Sequence, residues 1–137
     1  MAERITSPNN VYEFALPDGY EPQENEGMVI VCNEENGSGA INIRNYQMPD
    51  YYVFGAEEEL RDFVSSVDNG INRRALQVTV TSNESAYSEF ITEGRFWKVW
   101  TLFKNPHAVF ASYNCDEKDK DNEMNKVDKI IQSLKII

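Results

Sequence analysis

The sequence predicts an α+β domain in which two helices pack on one antiparallel sheet of about six to seven strands, in the order βββ-α-ββββ-α. Three observations predict this class. Most of the chain alternates apolar and polar residues with a period of two, two segments change to helical spacing, and the connections between later strands are too short for parallel crossovers. The chain has 137 residues, so 1–137 is expected to fold as a single domain.

The first part of the chain is predicted to consist of strands. Residues 11–16 alternate in the β manner and stop at a Pro-Asp-Gly turn. The following segment, 20–27, is polar and acidic, which is typical of a loop. The β-branched run at 28–32 and the segment 40–44 are separated by a glycine-containing turn, and we expect them to form a hairpin.

Two segments carry apolar residues at helical spacing. The first helix follows Gly55, has three glutamates in its first turn, where they complement the helix dipole, and is predicted to end at 68–70 (Asp-Asn-Gly). The second starts near Asp121 and runs towards the C terminus. The predicted apolar faces comprise Leu60, Phe63, Val64 and Val67 in the first helix, and Val127, Ile130, Ile131 and Leu134 in the second.

Four strand segments lie between the helices, at 76–81, 86–92, 96–103 and 108–114, and their short turns predict a meander. The segment 96–103 is apolar on both sides, apart from a lysine and a threonine, so it is expected to be an interior strand. Within it, Trp97 and Trp100 must point to opposite faces of the sheet, because they are three residues apart.

The net charge is -10, of which -7 falls within the first 40 residues. Such a field repels phosphate backbones and anionic lipid headgroups, so neither nucleic acid nor a membrane surface is an expected partner. No apolar run reaches the length of a membrane span, and the N terminus lacks a signal-peptide pattern, so we expect no membrane insertion. A soluble cytoplasmic protein is expected, and a periplasmic location stays open if a leader has been removed.

The sequence contains no recognisable catalytic, metal-binding or cofactor-binding motif. His107 is the only histidine and follows a turn, where an exposed ring is expected. No cysteine or histidine pairs have ligand spacing, and the acidic run 116–123 lacks the glycine that a calcium loop needs at its sixth position. Cys32 and Cys115 lie in strands, and a disulfide between them stays open only if those strands are neighbours. We therefore predict a protein that is not an enzyme.

Aromatic side chains are the candidates for binding. One group lies in the connection before the first helix and the other in the meander, and each group is open to two interpretations: rings that close the core, or rings that face a partner. The candidate binding residues are Tyr46, Tyr51, Tyr52 and Phe54 in the connection, and Tyr87, Trp97 and Trp100 in the meander.

Two segments carry a resemblance to a known family. Residues 12–20 (YEFALPDGY) are similar to the "F-x-hydrophobic-P-x-G-aromatic" start of the PsbP-like superfamily, and residues 127–136 resemble its terminal helix, which often ends "I-x-S-hydrophobic". The order of elements over nearly the whole chain also fits. The superfamily includes the photosystem II subunit PsbP, the lipoprotein DcrB, a Ran-binding nuclear transport factor and bacterial secretion-effector chaperones.

The resemblance implies αβα layering and a binding or chaperone-like role, since known members mostly bind other proteins. It offers no shared catalytic residues. The leading hypothesis is thus a non-enzymatic protein-binding module. Two alternatives remain: a toxin-neutralising or immunity-type protein that masks a basic partner with its N-terminal acids, and a small-molecule binder with an enclosed cavity near Tyr87 and Trp100.

Overall fold

The structure is a computed structural model that describes residues 3–50, 52–67, 72 and 74–137. These residues form ten strands, two α-helices and one short 3₁₀ turn. In chain order they are β1 (Glu3–Thr6), β2 (Tyr12–Leu16), β3 (Glu21–Asn25), β4 (Met28–Cys32), β5 (Ala40–Gln47), α1 (Ala56–Val67), β6 (Val78–Ser82), β7 (Ser85–Thr92), β8 (Arg95–Lys104), β9 (His107–Asp116), the 3₁₀ turn (Glu117–Asp119), α2 (Met124–Ser133) and β10 (Lys135–Ile136).

The strands form a seven-stranded antiparallel sheet in the order β3-β4-β5-β9-β8-β7-β6 and a three-stranded sheet in the order β1-β2-β10. The predicted α+β class, with its two helices, meander and helix–strand order, is confirmed. Strand β8 lies inside the large sheet between β9 and β7, as its two apolar sides predicted. The predicted end of α1 at 68–70 lies outside the described residues.

Strand β3 is a correction to the sequence analysis, which expected residues 20–27 to be a loop. The segment pairs with β4 in regular antiparallel register, from Glu21 opposite Cys32 to Asn25 opposite Met28. All five residues of β3 are exposed, so the strand has no buried face and shows no apolar alternation. A tight turn at Glu26 and Gly27, both with positive φ, closes the hairpin.

One face of the large sheet is covered by α2 and the small sheet. Val127 and Ile130 of α2 and the fully buried rings of Tyr12 and Phe14 pack in one apolar cluster with residues of β4, β5, β9 and β8. On the opposite face, Leu60 and Val64 of α1 pack on Val99 of β8 and on residues around β6 and β7. The predicted αβα layering follows, with the two helices offset towards different ends of the sheet.

The two cysteines do not pair. Cys32 lies on β4 and Cys115 on β9, and β5 separates these strands, so both thiols are free. The open disulfide question of the sequence analysis is thereby answered.

The carboxylate of Glu123, the residue before α2, joins three distant parts of the chain. It accepts hydrogen bonds from the Tyr20 hydroxyl, from the Tyr113 hydroxyl at 2.7 Å, and from the backbone N–H groups of Ser38 at 2.8 Å and Gly39 at 3.0 Å. Glu123 is only 6% exposed. Burial raises the pKa of this carboxyl, but the four donated bonds outweigh it and leave the pKa below its ordinary value.

The hairpin loop between β4 and β5 is shaped to reach Glu123. The N–H of Gly37 donates to the Asn33 carbonyl at 2.8 Å, and the N–H of Asn36 donates to the Asn33 side-chain oxygen at 3.0 Å. A Cβ added to Gly39 would lie 2.0 Å from the Asn114 carbonyl oxygen, so only glycine allows this close approach of backbone to β9. The loop therefore presents its N–H groups to the carboxylate.

We predict that Glu123→Gln lowers the free energy of unfolding at pH 7 by about 2–4 kcal/mol, because an amide has one acceptor oxygen and puts donors against the donors around it. The folded-state pKa of Glu123 is depressed, so its stabilisation is present above the ordinary pKa of 4.5 and is lost as pH falls through the folded value. Urea unfolding at pH 7 and again near pH 3 measures this, and the difference between wild type and variant should shrink at the lower pH.

The control is Glu117→Gln, which removes the same charge from an exposed position in the 3₁₀ turn. It should change stability by less than about 0.5 kcal/mol at either pH. Equal losses in the two variants would contradict the role assigned to the buried carboxylate.

Candidate functional site

The predicted binding residues fall on opposite faces of the large sheet. Tyr46 and Trp97 lie on the face that carries α1, whereas Tyr87 and Trp100 lie on the face that carries α2. Trp97 pairs across the strands with Phe90 and Trp100 pairs with Tyr87, which confirms that the two tryptophans point in opposite directions. Tyr51 lies outside the described residues. The structure therefore offers two candidate surfaces.

The first surface is a depression of about 350 Å³ beside α1, here called the open-face hollow. Tyr46 is 46% exposed, and its ring meets Phe110 edge to face at 5.7 Å between ring centroids. Phe63 of α1 also stacks on Phe110, with 5.0 Å between the ring centroids. The hollow is lined by Met28, Asn42, Arg44, Tyr46, Phe63, Ser66, Val67, Trp97 and Ser112.

The open-face hollow exists because α1 covers only part of its sheet face. The helix packs mainly on β6, β7 and β8, and within the described residues the corresponding face of β5 borders the hollow instead. Along β5, Ile41 and Ile43 point into the core under α2, so Arg44 and Tyr46 project from the uncovered side. A second depression of about 370 Å³ adjoins the hollow and shares Met28, Arg44 and Tyr46 with it.

The second surface is a groove of about 580 Å³ between α2 and strands β6 to β8, here called the Lys98 groove. The ammonium of Lys98 lies 5.2 Å from the ring centroid of Tyr87 and 5.5 Å from that of Trp100, within cation–π range of both. The groove is lined by Thr81, Ser85, Ala86, Tyr87, Lys98, Trp100, Thr101, Leu102, Asp128, Ile131, Gln132 and Leu134.

Lys98 is held by two carboxylates as well as by the rings. Its Nζ lies 2.9 Å from Asp128 of α2 and 3.4 Å from Glu89 of β7. Two negative groups thus surround one positive group, and the three charges sum to -1. In the sequence Lys98 stands out only as an interruption of an apolar strand. A lysine inside a strand buried on both faces is itself a sign that a partner carboxylate lies near it.

The connection before α1 divides into core and surface residues. The ring of Phe54 is half-buried and stacks on Phe103 at 4.5 Å, with an angle of 7° between the ring planes, and it packs against the apolar cluster under α1. Tyr52 is exposed, and Val53 is 89% exposed. Both interpretations left open by the sequence therefore apply within this segment. The ring of Phe54 closes the core, whereas Tyr52 and Val53 face solvent.

The polar residues that the sequence analysis weighed for chemistry are dispersed. His107 begins β9 and is half-buried, whereas an exposed ring was expected. Within the described residues, no three His, Cys, Asp or Glu side chains gather closely enough to hold a metal ion. No helix in that part of the chain has the length and apolar character to span a membrane.

The fold can be compared with solved structures. The chain superposes on the solution structure of cyanobacterial PsbP (CyanoP) from Synechocystis sp. PCC 6803 with a TM-score of 0.70 and 12% identity, over 99% of this chain and 92% of that one. The fold is PsbP-like. The resemblance seen in the terminal motifs is thus confirmed at the level of the fold.

A crystal structure from Bacteroides thetaiotaomicron VPI-5482 is also similar to the PsbP-like fold of this chain. It matches with a TM-score of 0.62 and 14% identity over 98% of this chain and 48% of that one, so the present chain spans about half of its length. No protein-family model and no curated protein sequence matches the chain.

We predict that Phe54→Ala lowers the free energy of unfolding by about 2–3 kcal/mol, less than a fully buried phenylalanine would cost, because the ring is half-buried. Tyr52→Ala, two residues earlier and exposed, should cost no more than about 0.5 kcal/mol. Chemical denaturation followed by circular dichroism measures both. Similar losses in the two variants would mean that the division of this connection into core and surface is wrong.

Proposed function

We propose that the chain is a non-enzymatic protein-binding module whose partner docks on the open-face hollow. One observation carries the proposal: Tyr46 and Trp97, from different strands, line the same exposed depression together with Met28 and Arg44. Tyrosine, tryptophan, methionine and arginine are the residue types that are enriched in the cores of protein interfaces and in their hot spots.

The rings of the hollow are positioned before any partner arrives. Tyr46 and Phe63 both rest on Phe110, which is itself buried, so the exposed edge of Tyr46 is supported from below. A side chain that is already held loses little conformational entropy when a partner covers it. Arg44 adds charged donors beside the rings, and its Nε lies 3.2 Å from the Met28 sulfur. This combination favours a protein surface over a small apolar ligand.

A PsbP-like fold is compatible with this role. The proposed partner docks on the open-face hollow, and Tyr52 and Val53 are further exposed apolar side chains, in the connection that leads into α1.

We predict that Tyr46→Ala weakens partner binding by about tenfold or more and leaves the melting temperature nearly unchanged, as is expected for an exposed hot-spot tyrosine. The measurement is affinity capture from source-cell lysate with tagged wild type and variant, read by quantitative mass spectrometry. The matched control is Ile91→Ala: Ile91 is 48% exposed but lies on the opposite face of the sheet. A partner captured equally by wild type and Tyr46→Ala would overturn the assignment of the hollow.

The acidity of β3 favours a second candidate, a toxin-neutralising or immunity-type protein that masks a basic partner. Glu21 and Glu24 of β3 and Glu26 of its turn are all exposed on one edge of the sheet. A surface of this kind speeds association with a cationic partner, and the effect is screened by salt.

This candidate predicts that replacing Glu21, Glu24 and Glu26 together by glutamine slows association with a captured partner by at least about tenfold at low ionic strength, with little effect at high salt. Surface plasmon resonance at both ionic strengths measures the association rate. Binding through the open-face hollow should instead persist at high salt and be insensitive to the triple variant, so the two candidates give different results.

The Lys98 groove supports the small-molecule alternative, because its volume of about 580 Å³ lies within the range of ligand sites. Tyr87 and Trp100 line it, but it is an open groove, whereas that alternative requires an enclosed cavity. The groove also runs beside β6, which is an edge strand of the large sheet.

A further inference from the structure

The two edges of the large sheet differ in how they are protected. Strand β3 carries Pro22 and two glutamates, which discourage pairing with another chain. Strand β6, at the other edge, has no such residue: residues 75–83 contain no charge and no proline. Val80, in the middle of β6, is 49% exposed. An exposed, β-branched, uncharged edge is the kind that accepts an added strand.

Among the described residues, no strand pairs with the outer edge of β6, and the regular stretch of β6 is short. Its register with β7 is continuous from Val78 to Val80 and shifts between Val80 and Ser82. Before this stretch the carbonyls of Leu76 and Gln77 already accept hydrogen bonds, from Arg61 at 2.6 Å and from Ser88 at 2.6 Å. An incoming strand would therefore pair from Val78 onwards and would be short.

The two faces of β6 specify the side chains that an incoming strand should carry. Val80 pairs with Ala86, which belongs to the apolar cluster under α1, so apolar residues are favoured beside it. Thr79 pairs with Tyr87, and Thr81 lines the Lys98 groove, so the alternate residues of an added strand would lie along the groove.

The charge of the groove favours a basic side chain there. Asp128 lines the groove and Glu89 lies beside it on β7, so Lys98 has two carboxylate partners and the three groups together carry a charge of -1. The rings of Tyr87 and Trp100 already hold one cation at their faces. A second cation would complete the neutralisation of the two carboxylates.

We propose that β6 accepts an extended segment of another protein as an added antiparallel strand, with β-branched residues on the side of Val80 and basic residues on the side of the Lys98 groove. Backbone hydrogen bonds would supply affinity, and the alternating side chains would supply specificity. This site is separate from the open-face hollow. A second copy of the chain fits it less well, because β6 itself offers no basic residue and both copies would bring carboxylates to the contact.

The test uses a synthetic seven-residue peptide of alternating valine and lysine with blocked ends, titrated into ¹⁵N-labelled protein. Saturable amide shifts in β6 and β7 are expected. Two further peptides carry N-methyl groups on only the valines or only the lysines. Valines and lysines of an extended peptide direct their N–H groups to opposite edges, so each set of methyl groups blocks one edge. A peptide that pairs with β6 through one edge should lose binding when that edge is methylated and keep binding when the other edge is methylated. Absence of binding at millimolar concentration, or equal behaviour of the two methylated peptides, would overturn the proposal.

Variants locate the site. Val80→Lys places a charge on the open edge and should weaken peptide binding by about tenfold or more. The matched control Gln23→Lys adds the same charge to exposed β3 and should leave binding unchanged. Circular dichroism checks that both variants fold. Equal weakening by the two variants would show nonspecific charge attraction and overturn the site, as would a dimer in sedimentation velocity that Val80→Lys dissociates, because β6 would then be occupied by a second copy.

Discussion

The structure depends on one buried carboxylate, that of Glu123. Its four donors come from the residue before β3, from the hairpin between β4 and β5, and from β9, so a single side chain fixes the start of α2 against half of the large sheet. A buried charge is tolerated only when hydrogen bonds replace the water it has lost, and here every one of those donors has to be in place together. The position of α2 that results also sets one wall of the Lys98 groove, to which Asp128 belongs.

The offset of the two helices explains why the molecule has two candidate surfaces. A helix covers only part of a seven-stranded sheet, and α1 and α2 lie over different ends and opposite faces. Each face therefore keeps an uncovered part: the open-face hollow beside β5 and the Lys98 groove beside β6. Aromatic residues that alternate along the strands supply both surfaces, since whichever ring is not covered by a helix borders solvent.

Residue patterns predicted those elements that bury a face. Strand β8, apolar on both sides, and the two helices, with their apolar stripes, were predicted because burial imposes a period on the sequence. Strand β3 was missed because both of its sides face solvent and only backbone pairing holds it. Glu123 lies in a run of acidic residues, and the local sequence does not distinguish it from the other acids. Its role depends on tertiary contacts. That Tyr46 and Trp97 line one depression, and that Lys98 pairs with Asp128, likewise depend on strand order and helix placement, which local sequence does not encode.

An open edge such as that of β6 needs a feature that disfavours pairing with a second copy of the chain. The acids of β3 do not reach that far: six strand spacings of about 4.8 Å separate the two edges, roughly 29 Å, whereas the Debye length at physiological ionic strength is about 8 Å. Protection must therefore be local. The register shift after Val80 shortens the regular stretch, and the carboxylates around Lys98 would face each other in a symmetric contact. The same carboxylates that disfavour a second copy attract a basic segment, so one local arrangement would both disfavour self-pairing and select the segment proposed above.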